Sequence, residues 1–157
     1  MRVANLVLRL AGISHHVGEI EVCRRSLIDL VDKAKSSIKI VSGELNREFY
    51  SCDGFLKALK QASERGVVVK FIIGPNPNEE SLKMLIAFKG CAHFYQLPQW
   101  PVFHFILVDN KHVRLEAPHA PGQKEREQYI IYNFKDAEEI EERFDELEKL
   151  AKPLEAV

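Results

Sequence analysis

The chain has 157 residues, of which 46% are hydrophobic and 29% are charged, and its formal net charge at pH 7 is -1. These values are typical of one soluble globular domain that can bury a core without disulfides or metals. A net charge near zero gives no electrostatic reason to expect that the protein as a whole binds nucleic acid or a membrane surface. Three widely spaced cysteines favour a reducing compartment over a disulfide framework. We therefore expect a cytoplasmic protein with neither a metal nor another cofactor.

The first 18 residues form a segment whose role the sequence leaves open. Their apolar run, Leu6 to Leu10, is short and is interrupted by Arg9, so we do not expect it to span a bilayer. No convincing signal-peptide cleavage site follows it. An extra strand, a helix and a dimer contact all fit this segment. We assign residues 1–18 to an extension of unclear role and residues 19–157 to a single domain.

Helical and strand-like patterns alternate through that domain. Apolar residues recur at helical spacing in the ranges 24–35, 53–65, 79–89 and 136–151, and Gly66 and Gly90 terminate the middle two. Strand patterns occupy the ranges 18–22, 37–41, 67–73, 91–97, 105–108, 112–115 and 129–132. The alternation predicts an α/β sandwich with a central mixed β-sheet flanked by helices.

The stretch Val102–His119 carries the residues that are typical of a site. A core strand, Phe105–Val108, ends at Asp109, and a second strand follows a two-residue turn. Histidine and carboxylate side chains at strand ends face an opening rather than the core. Catalytic and binding residues are often found at such openings. The candidates for ligand binding are His104, Asp109, His119, Glu44 and Asn46.

Each candidate also has a purely structural interpretation. Asp109 can accept hydrogen bonds from turn amides, and Glu44 and Asn46 can form a turn or cap a helix. His104 can be a partly buried histidine of the strand face, and His119 can lie on the surface. Trp100, between two prolines, can pack in the fold or stack on a ligand.

Three segments together resemble one half of the phospholipase D superfamily. The segment LIDLVDKAKSSIKIVSGEL resembles its opening helix and strand, and FLKALKQASERGVVVKFIIGP resembles its unit of helix, Arg-Gly-Val and strand. IIYNFKDAEEIEERFDELEKLA resembles its last strand and closing helix. The likeness covers about residues 19–152 and implies a phospholipase D-like α/β sandwich.

The signature of that family is H-x-K-x4-D, followed six residues later by G-S-x-N. With Asp109 as the acid, Val102 stands at the nucleophilic histidine and His104 at the lysine. The G-S-x-N tetrad falls on residues 116–119, with Glu116 at the glycine and His119 at the asparagine. The spacing of the motif is intact, but nearly every residue that acts in the family's reaction is replaced in this chain.

The substitutions imply that the family's chemistry does not run in this chain. In that family one imidazole attacks phosphorus, a second protonates the leaving oxygen, and lysine and asparagine hold the phosphoryl oxygens. Val102 has no lone pair, and His104 is a weaker, pH-dependent cation than lysine. Glu116 adds a negative charge near the expected phosphate, although His119 could still donate a hydrogen bond.

The resemblance implies a homodimer, because the family builds its site from two halves and its single-motif members pair. We expect a catalytically degenerate ligand-binding or regulatory module, with His104, Asp109 and His119 of both copies near the twofold axis. A phosphate-containing ligand, a sugar and nucleic acid are the candidate partners. Two alternatives stay open: an active phosphodiesterase or nuclease that uses a rearranged histidine site, and a purely structural assembly domain without an open pocket.

Overall fold

The structure is a computed structural model that describes residues 13–18, 20–45, 50, 53–101, 103–117 and 126–154. Its strands and helices, in chain order, are β1 (Ile13–Gly18), α1 (Ile20–Asp32), β2 (Ser37–Ser42), α2 (Asp53–Glu64), β3 (Val68–Ile73), α3 (Glu79–Ala87), β4 (His93–Gln96), β5 (Phe105–Val108), β6 (His112–Glu116), β7 (Arg126–Ile131), α4 (Ala137–Leu150) and β8 (Lys152–Pro153). None of the helices within these ranges is long and apolar enough to cross a membrane.

The strands form one mixed sheet in the order β1-β7-β6-β5-β2-β3-β4-β8. Strands β2, β3 and β4 are parallel, and the other neighbours are antiparallel. The end of the sheet at which β2, β3 and β4 finish is called here the carboxyl end. There β5 and β7 begin and β6 finishes, so residues far apart in the sequence meet at this end. The predicted mixed sheet is confirmed.

Helices cover both faces of the sheet, as the apolar pattern of the central strands requires. Alternate side chains of β2 point to opposite faces. Ile38 and Ile40 pack into the larger core with α1, α2 and α3, whereas Val41 packs with Phe144 of α4. The result is a sandwich of helices, sheet and helix with a core on each side.

Two glycines end helices where the sequence predicts it. Gly66 follows α2 with φ +88°, and Gly90 follows α3 with φ +81°. This left-handed conformation carries little steric cost without a β-carbon. The amide of Val67 then donates to the carbonyl of Ala62 at 3.0 Å, which closes the end of α2 and leads directly into β3.

The structure differs from the sequence prediction around residues 13–22. The predicted strand over residues 18–22 is wrong, because α1 already begins at Ile20. Cys23, Leu27 and Leu30 are buried at helical spacing, and a five-residue alternation is too short to distinguish a strand from the first turn of such a helix. Residues 13–18, which we assigned to the extension, form β1 and pair antiparallel with β7.

Candidate functional site

Trp100 packs directly against two glycines at the carboxyl end of the sheet. A β-carbon built on Gly43, just after β2, would lie 2.5 Å from Cζ3 of the indole, and one built on Gly74, just after β3, would lie 2.9 Å from Cε3. The amide of Gly74 also donates to the carbonyl oxygen of Gly43 at 3.0 Å. Only glycine leaves room for the ring at these positions. The indole nevertheless stays 54% exposed, so the loop that carries it presents an aromatic surface.

His104 lies beside this indole, at the start of β5. Its Nε2 accepts a hydrogen bond from the amide of Gly43 at 3.2 Å, and the imidazole is partly buried. A ring nitrogen accepts an N–H through its lone pair, which requires that nitrogen to be unprotonated. The lone pair of Nε2 is therefore engaged within the fold.

Glu116 is the cross-strand neighbour of His104. The antiparallel register of β5 and β6 pairs Phe105 with Leu115 and so places Glu116 opposite His104. The amide of Glu116 donates to the carbonyl of His104 at 3.4 Å. Residues opposite each other in an antiparallel pair present their side chains on the same face. The structure thus brings together the residues at the family's lysine and glycine positions.

A buried arginine neutralises the Glu116 carboxylate. Nη1 of Arg114 lies 3.3 Å from Oε2 of Glu116, and the two side chains are 1% and 8% exposed. Nε of Arg114 donates to the side-chain oxygen of Gln128, whose amide nitrogen donates to the carbonyl of Cys23 at 3.0 Å. An ion pair buried in this way is compensated only as long as both partners are present. The positive charge of Arg114 is therefore already paired with the carboxylate opposite His104.

Tyr50 completes the buried polar cluster. Its side chain is buried near Arg114, Glu116 and Ser42. Burial raises the pKa of Tyr50, although the charge of Arg114 opposes this shift. The phenol therefore stays neutral at physiological pH.

Asp109 does not share this site. Its carboxylate lies at the opposite end of β5 and accepts hydrogen bonds from the amides of Lys35, Ser36 and Ser37 at 2.7–3.1 Å. Partial burial acts to raise the pKa of Asp109, but these amide hydrogen bonds outweigh it and lower the pKa below its ordinary value. The expectation that Asp109 lies in the pocket with His104 is wrong, because one strand separates them.

The remaining candidates fall into two groups. Glu44 is exposed in the turn after β2, and its carbonyl accepts the hydroxyl of Ser42 at 2.7 Å, which is a structural contact of the turn. Val102, His119 and Asn46 lie outside the described residues. Across the described ranges, no group of three or more histidine, cysteine, aspartate or glutamate side chains is placed to hold a metal ion.

Sequence reasoning missed three members of the cluster: Arg114, Gln128 and Tyr50. A signal for the first was present, since Arg114 and Glu116 are two residues apart on a strand and must share a face. No comparable signal marks Gln128 or Tyr50, because their proximity to Arg114 depends on how the strands and loops pack.

Comparison with known proteins identifies the fold. The sequence matches no protein-family model, and no curated protein is significantly similar to it. Among solved structures, the phospholipase D family member Nuc from Salmonella typhimurium superposes with a TM-score of 0.74 at 21% identity, over 91% of this chain and 99% of Nuc. NucT from Helicobacter pylori gives a TM-score of 0.70 at 13% identity, over 90% of this chain and 99% of NucT.

A third solved structure is that of the archaeal chromatin protein TrmBL2, which shows a novel mode of DNA binding. It superposes with a TM-score of 0.67 at 16% identity, and the match covers 96% of this chain and 61% of TrmBL2. At such identities the likeness concerns the fold alone. The mixed sheet and the superposition along nearly the whole length of Nuc and NucT confirm the fold that the sequence predicts: this chain has a phospholipase D-like α/β fold.

Proposed function

We propose that this chain is a catalytically degenerate phospholipase D-like domain that acts as a homodimeric ligand-binding or regulatory module. The observation that carries the proposal is the hydrogen bond from the Gly43 amide to Nε2 of His104. It engages the Nε2 lone pair, which a nucleophilic histidine at this position would need.

The surrounding charges support the same conclusion. Attack on phosphorus needs an unshared lone pair and cations that stabilise the phosphoryl oxygens. Valine at position 102 supplies no lone pair, and the carboxylate of Glu116 faces the same side of the sheet as His104. Because Arg114 is paired with Glu116, its charge is balanced before any phosphate arrives.

The exposed aromatic side chains favour ligand binding over a purely structural role. Trp100 and Phe103 both precede His104 in the sequence and are 54% and 61% exposed. Aromatic surfaces of this kind stack on sugar rings and nucleobases. Glu44 is exposed beside Gly43, and its charge opposes a polyanion at this end. A small ligand, such as a sugar or a nucleotide, is therefore favoured over a long nucleic acid.

A phosphodiesterase assay tests the catalytic part of the proposal. Wild-type protein and His104→Ala are incubated with bis-p-nitrophenyl phosphate and with single-stranded DNA. We expect no turnover above background for either protein. Sustained hydrolysis by the wild type that His104→Ala abolishes would instead establish the alternative, an active phosphodiesterase with a rearranged histidine site.

Intrinsic fluorescence tests ligand binding, because Trp100 is the single tryptophan of the chain. Inorganic phosphate, AMP, glucose and a single-stranded oligonucleotide are titrated separately, and Phe103→Ala serves as the variant of the aromatic surface. We expect saturable quenching by one of the small ligands, weakened in Phe103→Ala. A flat response to all four would favour the structural assembly domain.

Sedimentation equilibrium tests the dimer, for which we expect twice the chain mass of 18.0 kDa.

A further inference from the structure

A cavity of about 360 Å³ opens at the β4–β8 edge of the sheet, beside the last turn of α3. This volume lies within the range of small-molecule sites in proteins. The cavity is lined by Leu85, Lys89, Gly90, Ala92, His93, Phe94, Tyr95, Pro153 and Leu154. Strand β4 begins at His93, so the cavity lies at the end of the sheet opposite Trp100 and His104. It is independent of the site and of the function proposed above.

The lining combines an apolar floor with a cationic rim. Leu85 and Phe94 are buried and belong to the larger core, against which Leu154 also packs. Lys89 and His93 are both exposed at the surface. None of the described residues that line the cavity is acidic, so this part of the lining offers apolar contact together with the positive charge of Lys89.

Lys89 supplies the positive charge of the cavity rim. Three lysines of the described chain pair with carboxylates: Lys39 with Glu141, Lys70 with Glu148 and Lys83 with Glu79. Within the described residues Lys89 forms no such ion pair. A lysine that forms no ion pair with any described residue, beside an apolar cavity, is complementary to a ligand with a negative head and an apolar body.

We propose that this cavity binds a small amphipathic monocarboxylate, with an aromatic or short aliphatic body against Leu85, Phe94 and Leu154. The carboxylate lies toward Lys89 and His93 at the rim. The apolar body of the ligand supplies affinity through its removal from water. The positive rim of the cavity favours a ligand with a negative charge. Neutral and cationic molecules of the same shape bind less tightly.

Nitrogen-15 chemical-shift titration of the full chain tests the proposal. Phenylacetate is the probe, and 2-phenylethanol and phenethylamine are its neutral and cationic counterparts. We expect saturable shifts of the Gly90, Ala92 and Phe94 amides with phenylacetate, a weaker response to the alcohol and the weakest to the amine. Equal responses to all three molecules, no shifts at these amides, or shifts centred on Trp100 instead would each overturn the proposal.

Two variants sharpen the test. Lys89→Gln keeps the shape of the rim but removes its charge, and we expect about threefold to fivefold weaker phenylacetate binding, as for a solvent-exposed ion pair. Ala92→Leu narrows the cavity, and we expect it to abolish the shifts. Lys83→Gln, within α3 and outside the cavity, is the control and should bind as wild type. Unchanged phenylacetate affinity in Lys89→Gln would contradict the assigned position of the carboxylate.

Discussion

His104 and Asp109 lie on either side of the four-residue strand β5 and therefore at opposite ends of the sheet. His104 accepts the amide of Gly43 at the end of β2, whereas Asp109 accepts the amide of Ser37 at the start of the same strand. His104 and Asp109 thus occupy positions of one sequence motif, but each takes part in a different structural feature. One belongs to the candidate site, and the other fixes the turn that enters β2.

The Asp109 carboxylate stabilises that turn, and Asp109→Asn tests this. Asparagine also tolerates the left-handed backbone of this residue, φ +55°, so the substitution isolates the charge. We expect the free energy of unfolding at pH 7 to fall by about 1.5–3 kcal/mol, the range for hydrogen bonds to a charged group. Urea denaturation measures it.

The contribution of Asp109 also depends on pH. Because the folded-state pKa lies below the ordinary value of 3.8, the stabilisation is complete above that value and is lost as the pH falls through the folded-state pKa. The difference in unfolding free energy between wild type and Asp109→Asn should therefore be constant from pH 5 to 7 and shrink below about pH 4. A difference that grew at low pH would contradict the assignment.

Gly43→Ala should displace Trp100, since the new β-carbon would lie 2.5 Å from Cζ3 of the indole. We expect a loss of about 1–3 kcal/mol of unfolding free energy, typical of overpacking, and a shifted emission maximum of the single tryptophan. The same substitution in a Trp100→Ala background should cost much less. An equal cost in both backgrounds would mean that the indole is not the obstacle.

Removal of Arg114 should leave Glu116 buried without its partner. We expect Arg114→Met to destabilise the fold by about 3–5 kcal/mol, as for other broken buried ion pairs. The double variant Arg114→Met/Glu116→Gln should be more stable than Arg114→Met alone, because the uncompensated charge is gone. Urea denaturation of both single variants and the double variant completes the cycle. Additive effects would show that the two side chains are not coupled.

The Lys70–Glu148 ion pair should contribute to the docking of α4 on the sheet. The Nζ–Oε1 distance is 2.8 Å, and hydrogen bonding to Glu148 raises the pKa of Lys70. With both side chains about one-quarter exposed, we expect Lys70→Gln to cost about 0.5–1 kcal/mol. Lys83→Gln, whose ion pairs on α3 are more exposed, is the control and should cost less.

The same pair has an expected alkaline dependence. A raised folded-state pKa means that the contribution of Lys70 is complete below its ordinary value of 10.5 and is lost as the pH rises through the folded-state pKa. The wild-type advantage over Lys70→Gln, followed by urea denaturation from pH 8 upward, should therefore decline only above about pH 10.5. A decline that is complete by pH 9 would assign the effect to another group.

The sequence by itself determined the elements whose signals are local. Apolar periodicity and terminating glycines predicted α2, α3 and α4, and runs of apolar residues predicted the central strands β2, β3 and β5. These signals are local because side-chain alternation and helix termination depend on neighbouring residues. The resemblance to the phospholipase D superfamily added the fold, which superposition confirms.

Only the tertiary structure decided which residues meet. The sequence placed Asp109 with His104, whereas the extended strand β5 separates them. The register of β5, β6 and β7 brings Glu116, Arg114 and Gln128 to the same face as His104. The sequence also left Trp100 without neighbours, and its contact with Gly43 and Gly74 arises because β2 and β3 are parallel and end side by side. Such contacts depend on the order and direction of strands, which no local pattern encodes.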